Sequence, residues 1–157
     1  MSDRPTANNA SGRVAAVDYG TVRIGIAVSD ARRTIASPFE NYTRRGPQAD
    51  GDFFRRLAAE ESIALFVVGL PVHLDGRESA KSREAREFGK WLGELTGKPV
   101  EYFDERFTSA EAEKYLGAAE FTKKQRKARL DKLAAQILLV AYLESGGNTE
   151  GTSGLDD

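Results

Sequence analysis

Cysteine is absent from the 157 residues, which excludes a disulfide framework and any zinc site built on thiolates. The absence accords with a reducing compartment. Long apolar runs are absent as well. Nothing approaches the ~20 residues of a membrane-spanning helix, and Met1–Ala10 lacks the apolar stretch of a secretory signal. The expectation is a cytoplasmic protein with no membrane partner. There is one histidine, His73, so with no cysteine a serine or cysteine triad is poorly supported. A lone loop histidine is more often incidental than catalytic. No internal repeat is visible. An excess of charge is also lacking: 23 Lys+Arg stand against 24 Asp+Glu, a formal net charge of -1. That balance does not advertise nucleic acid as a partner, yet the charge is unevenly placed. Lys123, Lys124, Arg126, Lys127, Arg129 and Lys132 cluster late in the chain. Such a patch attracts phosphate even on a neutral protein, although a basic run is usually just a solvated face.

What is present is the composition of one globular domain, with 40% hydrophobic and 30% charged residues. Apolar runs bounded by turn residues predict strands over about 13–18, 22–29 and 35–43, then at Ile63–Val68 and Val100–Phe107. Helical spacing of Phe53, Phe54, Leu57 and Ala58 predicts a helix near 49–61, and that of Phe88, Trp91, Leu92 and Leu95 one near 78–96. Gly97-Lys98-Pro99 ends the latter. Thr108 and Glu111 have capping-box spacing for a third helix. A last helix is expected over about 129–144, with Leu130, Leu133, Ala134, Ile137, Leu138 and Ala141 as its apolar stripe. This order is an α/β plan, a mixed sheet with helices on its faces. Residues 1–11 and 145–157 read as polar tails around a domain at 12–144.

The carboxylates carry the chemistry. Asp18 closes a buried strand, Asp104-Glu105 sits near the end of another, and Asp131 opens the last predicted helix. In a parallel arrangement these strand ends share one edge of the sheet, where ligand sites form. Three carboxylates from separate elements suit Mg²⁺ or Mn²⁺, and such ions serve phosphodiester hydrolysis. Plainer readings exist for each. Asp before Tyr-Gly is good turn chemistry, and strand alternation sends only one of Asp104 and Glu105 to the site, the other to solvent or Arg106. An acid in a first helical turn is favoured by the dipole alone. Ala134 and Ala135, one turn beyond Asp131, would let that helix approach the sheet closely.

Four motifs occur in order across about 13–144: Asp18-Tyr19-Gly20 with Arg23-Ile24-Gly25 and Ser29-Asp30; Val68-Gly69-Leu70-Pro71 with Asp75-Gly76; Asp104-Glu105-Arg106-Phe107-Thr108; and Asp131 with Ala134-Ala135 and Ile137-Leu138. On these the chain resembles the YqgF family, the Holliday-junction-resolvase-like or pre-16S ribosomal RNA nuclease proteins. The resemblance implies a ribonuclease-H-like fold, a mixed five-stranded sheet with flanking helices. It implies metal-dependent cleavage of phosphodiester bonds, with Asp18, Glu105 and Asp131 as catalytic acids and ligands of Mg²⁺ or Mn²⁺. It further implies maturation of the 5′ end of 16S ribosomal RNA, with four-way DNA or non-catalytic RNA binding as alternatives. Arg23 and Arg106, both within the matching motifs, join Lys123, Lys124, Arg126, Lys127 and Arg129 as candidate nucleic-acid contacts. The partner is then RNA, or branched DNA, for a monomer or homodimer. Two departures bear on substrate grip. Val22 stands where the family often has a basic residue, and His73 where it often has Asn.

Overall fold

The computed structural model describes residues 12–71, 78–116 and 120–146. His73 and Asp75-Gly76 lie outside the described residues, as do 1–11 and 147–157 of the expected tails. The chain runs β1 (Arg13–Asp18), β2 (Arg23–Ser29), β3 (Ala36–Thr43), α1 (Pro47–Glu60), β4 (Ile63–Leu70), α2 (Ala80–Thr96), β5 (Val100–Asp104), a 3-10 turn (Glu105–Thr108), α3 (Ser109–Leu116) and α4 (Lys123–Glu144). The five strands form one sheet in the order β3-β2-β1-β4-β5. β2 is antiparallel to β1 and β3, whereas β4 is parallel to β1 and β5 to β4. The sheet is therefore mixed, and the carboxyl ends of β1, β4 and β5 share one rim.

Side-chain alternation along β1 divides the core in two. Ala15 and Val17 face a cluster with Phe54, Leu57, Phe88 and Leu92 from α1 and α2. Val14 and Ala16 face a second cluster with Ala135, Leu138, Leu139 and Tyr142 of α4. The next even position is Asp18, so the same period that buries Val14 and Ala16 turns this carboxylate toward α4. The β2–β3 turn is tied by Asp30, whose carboxylate accepts from Thr34 N, Ile35 N and the Thr34 hydroxyl at 2.7–2.9 Å.

Five expectations are corrected. β4 continues through Gly69 to Leu70. β5 ends at Asp104, because the Asp104 side chain accepts the Arg106 backbone N–H at 2.9 Å and caps a 3-10 turn. Thr108 forms no capping box with Glu111; its hydroxyl donates to the Glu105 carbonyl at 2.8 Å, and Glu111 is buried and paired with Lys114 at 3.1 Å. The last helix starts at Lys123, not near 129. Thr122 and Gln125 make the reciprocal box that starts it, with Gln125 N donating to the Thr122 hydroxyl at 3.1 Å and Thr122 N to the Gln125 side chain at 2.9 Å. Asp131 thus sits in the third turn of α4, beyond the reach of the helix dipole's positive end. The buried face of α4 is also shifted from the expected stripe: it takes in Ala135, Leu139 and Tyr142, whereas Leu130, Leu133 and Ala134 are only partly buried.

Candidate active site

One glycine lets the β1–β2 hairpin carry Asp18. A Cβ at Gly20 would overlap the Arg23 carbonyl, so only glycine admits this approach of backbone to backbone. Gly25 lies opposite Asp18 in register, and a Cβ there would make ordinary contact with Ala135 Cβ at 3.5 Å and Asp18 Cβ at 3.6 Å. Small residues on both surfaces bring α4 down onto the strand that ends in Asp18.

Glu105 is delivered differently. Capping by Asp104 turns the chain away from the strand direction, and Arg106 grips the Asp104 carboxylate with Nε at 2.9 Å and Nη2 at 2.5 Å. Asp104 is consequently buried and committed, while Glu105 swings over Gly69 of β4. A Cβ on Gly69 would lie 2.5 Å from Glu105 Oε2. The missing side chain of Gly69 is the seat of this carboxylate.

Asp18, Glu105 and Asp131 line one cavity of about 340 Å³, closed by Thr108, Ala134, Ile137 and Leu138. Their electrostatics show a shared excess of negative charge. Burial, then the Asp131 charge, raises the Asp18 carboxyl from its ordinary 3.8 to about 6. Burial, then the charges of Asp18 and Asp104, raises Glu105 from 4.5 to about 7, against a small opposing pull from Lys81. Among the described residues neither carboxylate belongs to an ion pair. Asp131 is mostly exposed, and Lys127 Nζ holds its Oδ2 at 3.0 Å. As the side chains stand, no group of three acids among the described residues is gathered tightly enough to hold one ion.

The candidate cations divide. Arg23 and Lys127 line a second cleft of about 560 Å³ on the far side of Asp18 and Asp131, together with Lys81, Asn41 and Glu84. Arg106 is engaged by Asp104, and Arg129 donates to the Tyr115 carbonyl at 2.6 Å, so both brace the protein. Arg126 lies 3.6 Å from Glu113, and Lys123 and Lys124 are exposed on the first turn of α4. Lys81 was missed by sequence reasoning. The Ser79–Ser82 capping box places it in the first turn of α2 at the carboxyl rim of the sheet, and that box was the available signal.

The RuvX family model, described as a Holliday junction resolvase, matches residues 12–145. The chain belongs to the RuvX family. This is the YqgF family expected from the motifs. Among curated RuvX relatives, a protein of Rhodopirellula baltica named "Putative pre-16S rRNA nuclease" is 49% identical over 136 residues, covering 87% of this chain and 79% of the relative. A protein of the same name from Koribacter versatilis is 40% identical over 136 residues, covering 87% and 89%. Among solved structures, Thermus thermophilus RuvC superposes with a TM-score of 0.51 at 15% identity over 86% of this chain and 97% of that one. The fold is ribonuclease-H-like, as the motifs implied.

Proposed function

We propose that this RuvX-family chain is a divalent-metal-dependent endonuclease that hydrolyses phosphodiester bonds in structured RNA, acting in the cytoplasm at the 5′ end of pre-16S ribosomal RNA. The observation that carries the reading is the pair of half-buried carboxylates, Asp18 and Glu105. They share a cavity with Asp131, and their pKa values are raised by burial first and by the charges of neighbouring acids second. An all-oxygen donor set with unmet negative charge fits Mg²⁺ or Mn²⁺. Asp131 would complete it on leaving Lys127, the nearest competing cation. The name carried by the R. baltica and K. versatilis relatives supports RNA as the substrate.

When bound, the ion supplies charge stabilisation at the phosphate and lowers the pKa of water. The remaining work belongs to the chain. Asp18 and Glu105 would hold the ion at the rim, and Glu105, whose carboxyl is raised to about 7 and so is only partly ionised at neutral pH, would lose its remaining proton on loading. Arg23, Lys81 and Lys127 line the cleft beside the acids and neutralise phosphate oxygens around the cleaved bond. Lys123, Lys124 and Arg126 hold the flanking backbone, which positions the strand without reading its sequence.

A second reading, four-way DNA, is favoured by the description of the RuvX family model. It requires two symmetric incisions and hence a two-fold dimer. The deciding experiment incubates a precursor 16S leader RNA and a four-way DNA junction with the protein in Mg²⁺, Mn²⁺ or EDTA, beside Asp18→Asn. Metal-dependent cleavage of RNA alone, lost in the variant, is expected. Cleavage of the junction alone overturns the substrate assignment. Binding without cleavage of either substrate would leave a non-catalytic RNA-binding factor.

A further inference from the structure

Next to the acidic cavity, on the opposite face of the sheet, lies a cavity of about 320 Å³ that the phosphodiester chemistry does not use. Tyr19, the residue after Asp18, forms one wall. Phe88 and Trp91 of α2 continue it, with ring centroids 4.9 Å apart for Tyr19 and Phe88 and 5.4 Å for Phe88 and Trp91. The rings tilt by 37° and 41° to one another and Phe88 is buried between them, so the open part of this apolar ledge belongs to the partly buried Tyr19 and Trp91. Tyr19 is fixed in place. Arg44 donates to its hydroxyl at 3.1 Å and lies 5.4 Å from its ring centre. Arg44 is itself held at 3.2 Å by Asp50, which is fully buried.

Arg44, Pro47, Glu84 and Glu87 complete the lining; the Arg44 charge is answered by Asp50, whereas Glu84, which also lines the catalytic cleft, and Glu87 bring carboxylates to the cavity. Two carboxylates repel a phosphate but accept from amino groups. An occupant that is flat, uncharged, rich in N–H donors and joined to a phosphate in the neighbouring cleft is a nucleobase. A base paired and stacked within a duplex has no free face to offer such a ledge, whereas an unpaired one does.

We propose that the Tyr19–Phe88–Trp91 cavity is a subsite for one unpaired base of the substrate strand, adjoining the scissile phosphate. The inference rests on the nuclease reading and adds to it that the strand is single or splayed at the site of cleavage. Asp18 and Tyr19 are consecutive, so one strand crossing the rim of the sheet presents phosphate to the first and base to the second.

Trp91 is the only tryptophan of the chain and reports on the cavity directly. In EDTA, where no cleavage intervenes, a single-stranded hexa-adenylate RNA with a fluorescein at its 5′ end is titrated, beside a labelled hexamer of the same backbone without bases; anisotropy of the label gives the affinity for wild type and variant, and Trp91 fluorescence of the wild type is followed alongside. The adenylate strand is expected to quench Trp91 and to bind roughly 5- to 150-fold more tightly, the equivalent of about 1–3 kcal/mol for one stacked base. Trp91→Leu is expected to remove most of that difference while leaving the affinity of the abasic strand unchanged. Equal affinities of the two strands for the wild-type protein, absence of quenching, or absence of binding overturns the proposal, whether or not the variant folds. Base-dependent binding without cleavage in Mg²⁺ would keep the subsite and sink the nuclease reading. Cleavage without base dependence would do the reverse.

Discussion

Replacing Asp18 by Asn removes a negative charge from a half-buried strand end that has no ion-pair partner among the described residues. In the wild type, burial and the Asp131 charge lift this carboxyl from 3.8 to about 6. The folded state therefore binds the proton more tightly than the unfolded chain, and the ionised acid opposes folding. Taken at face value the rise corresponds to about 3 kcal/mol. Cleft water screens the half-exposed group, leaving about 1–2 kcal/mol. In a domain of this size each kcal/mol moves the melting temperature by about 2–4 °C, so Asp18→Asn should melt some 2–8 °C higher at neutral pH in EDTA. The sign fixes the pH course. Below about pH 4 the acid is protonated in both states and the two proteins melt alike. The gap opens as pH rises from 4 and is complete somewhat above 6. Mg²⁺ should stabilise the wild type more than the variant, because only the former regains a partner for its charge. Thermal melts at pH 4, 5, 6 and 7.5, with EDTA or Mg²⁺, provide the assay. A variant that melts lower than the wild type at pH 7.5 in EDTA would refute the reasoning, since it would mean that Asp18 is held by a favourable contact rather than left wanting a cation.

Three other outcomes can be checked. Gly69→Ala puts a methyl group 2.5 Å from Glu105 Oε2, too close for both to stay, so cleavage should fall at least ~100-fold, as for a misplaced catalytic group, with little change in the far-ultraviolet circular dichroism; wild-type turnover would show that Glu105 has another seat. Lys123→Gln with Lys124→Gln should flatten the plot of log affinity for single-stranded RNA against log salt by roughly 0.7 per charge, and an unchanged slope would remove both from the contact surface. Asp50→Ala strips the buried partner from the Tyr42 hydroxyl at 2.7 Å, Arg45 N at 2.9 Å and Arg44 at 3.2 Å, and should destabilise the fold by about 3–5 kcal/mol in urea titrations; a loss below 1 kcal/mol would mean that water replaces the carboxylate.

The strands were the most legible part of the chain because their signal is local. Val14–Val17 and Leu65–Val68 are buried on both faces, and a continuous apolar run records that directly. The end of β5 was misread because Phe107 prolongs the apolar pattern. What stops the strand is a polar competition, the Asp104 side chain taking the Arg106 N–H, which no hydrophobic period records. The start of α4 was hidden for the opposite reason. Residues 123–129 are almost wholly exposed and carry no apolar stripe, so only the Thr122–Gln125 spacing announced the helix. Of the site, Asp18 and the choice between Asp104 and Glu105 were framed by strand ends and alternation. The seat at Gly69, the position of Lys81 and the aromatic ledge depend on residues brought together across the sheet, and sequence distance conceals them.

The early start of α4 has an electrical consequence. Lys123, Lys124, Arg126 and Lys127 all fall within the first two turns of a helix whose dipole is positive at that end. Each opposes the dipole by about 0.3–1 kcal/mol, and among the described residues the Arg126–Glu113 and Lys127–Asp131 pairs relieve the strain. The free protein thus holds this end of the helix like a charged capacitor. A polyanion laid along it would discharge both the side chains and the peptide dipoles, and winding of these turns would then be coupled to occupancy: amide hydrogens there should exchange slowly with RNA bound and quickly without it. Grip and helix propagation would become a single event, and a strand held there would tighten the element that carries Asp131.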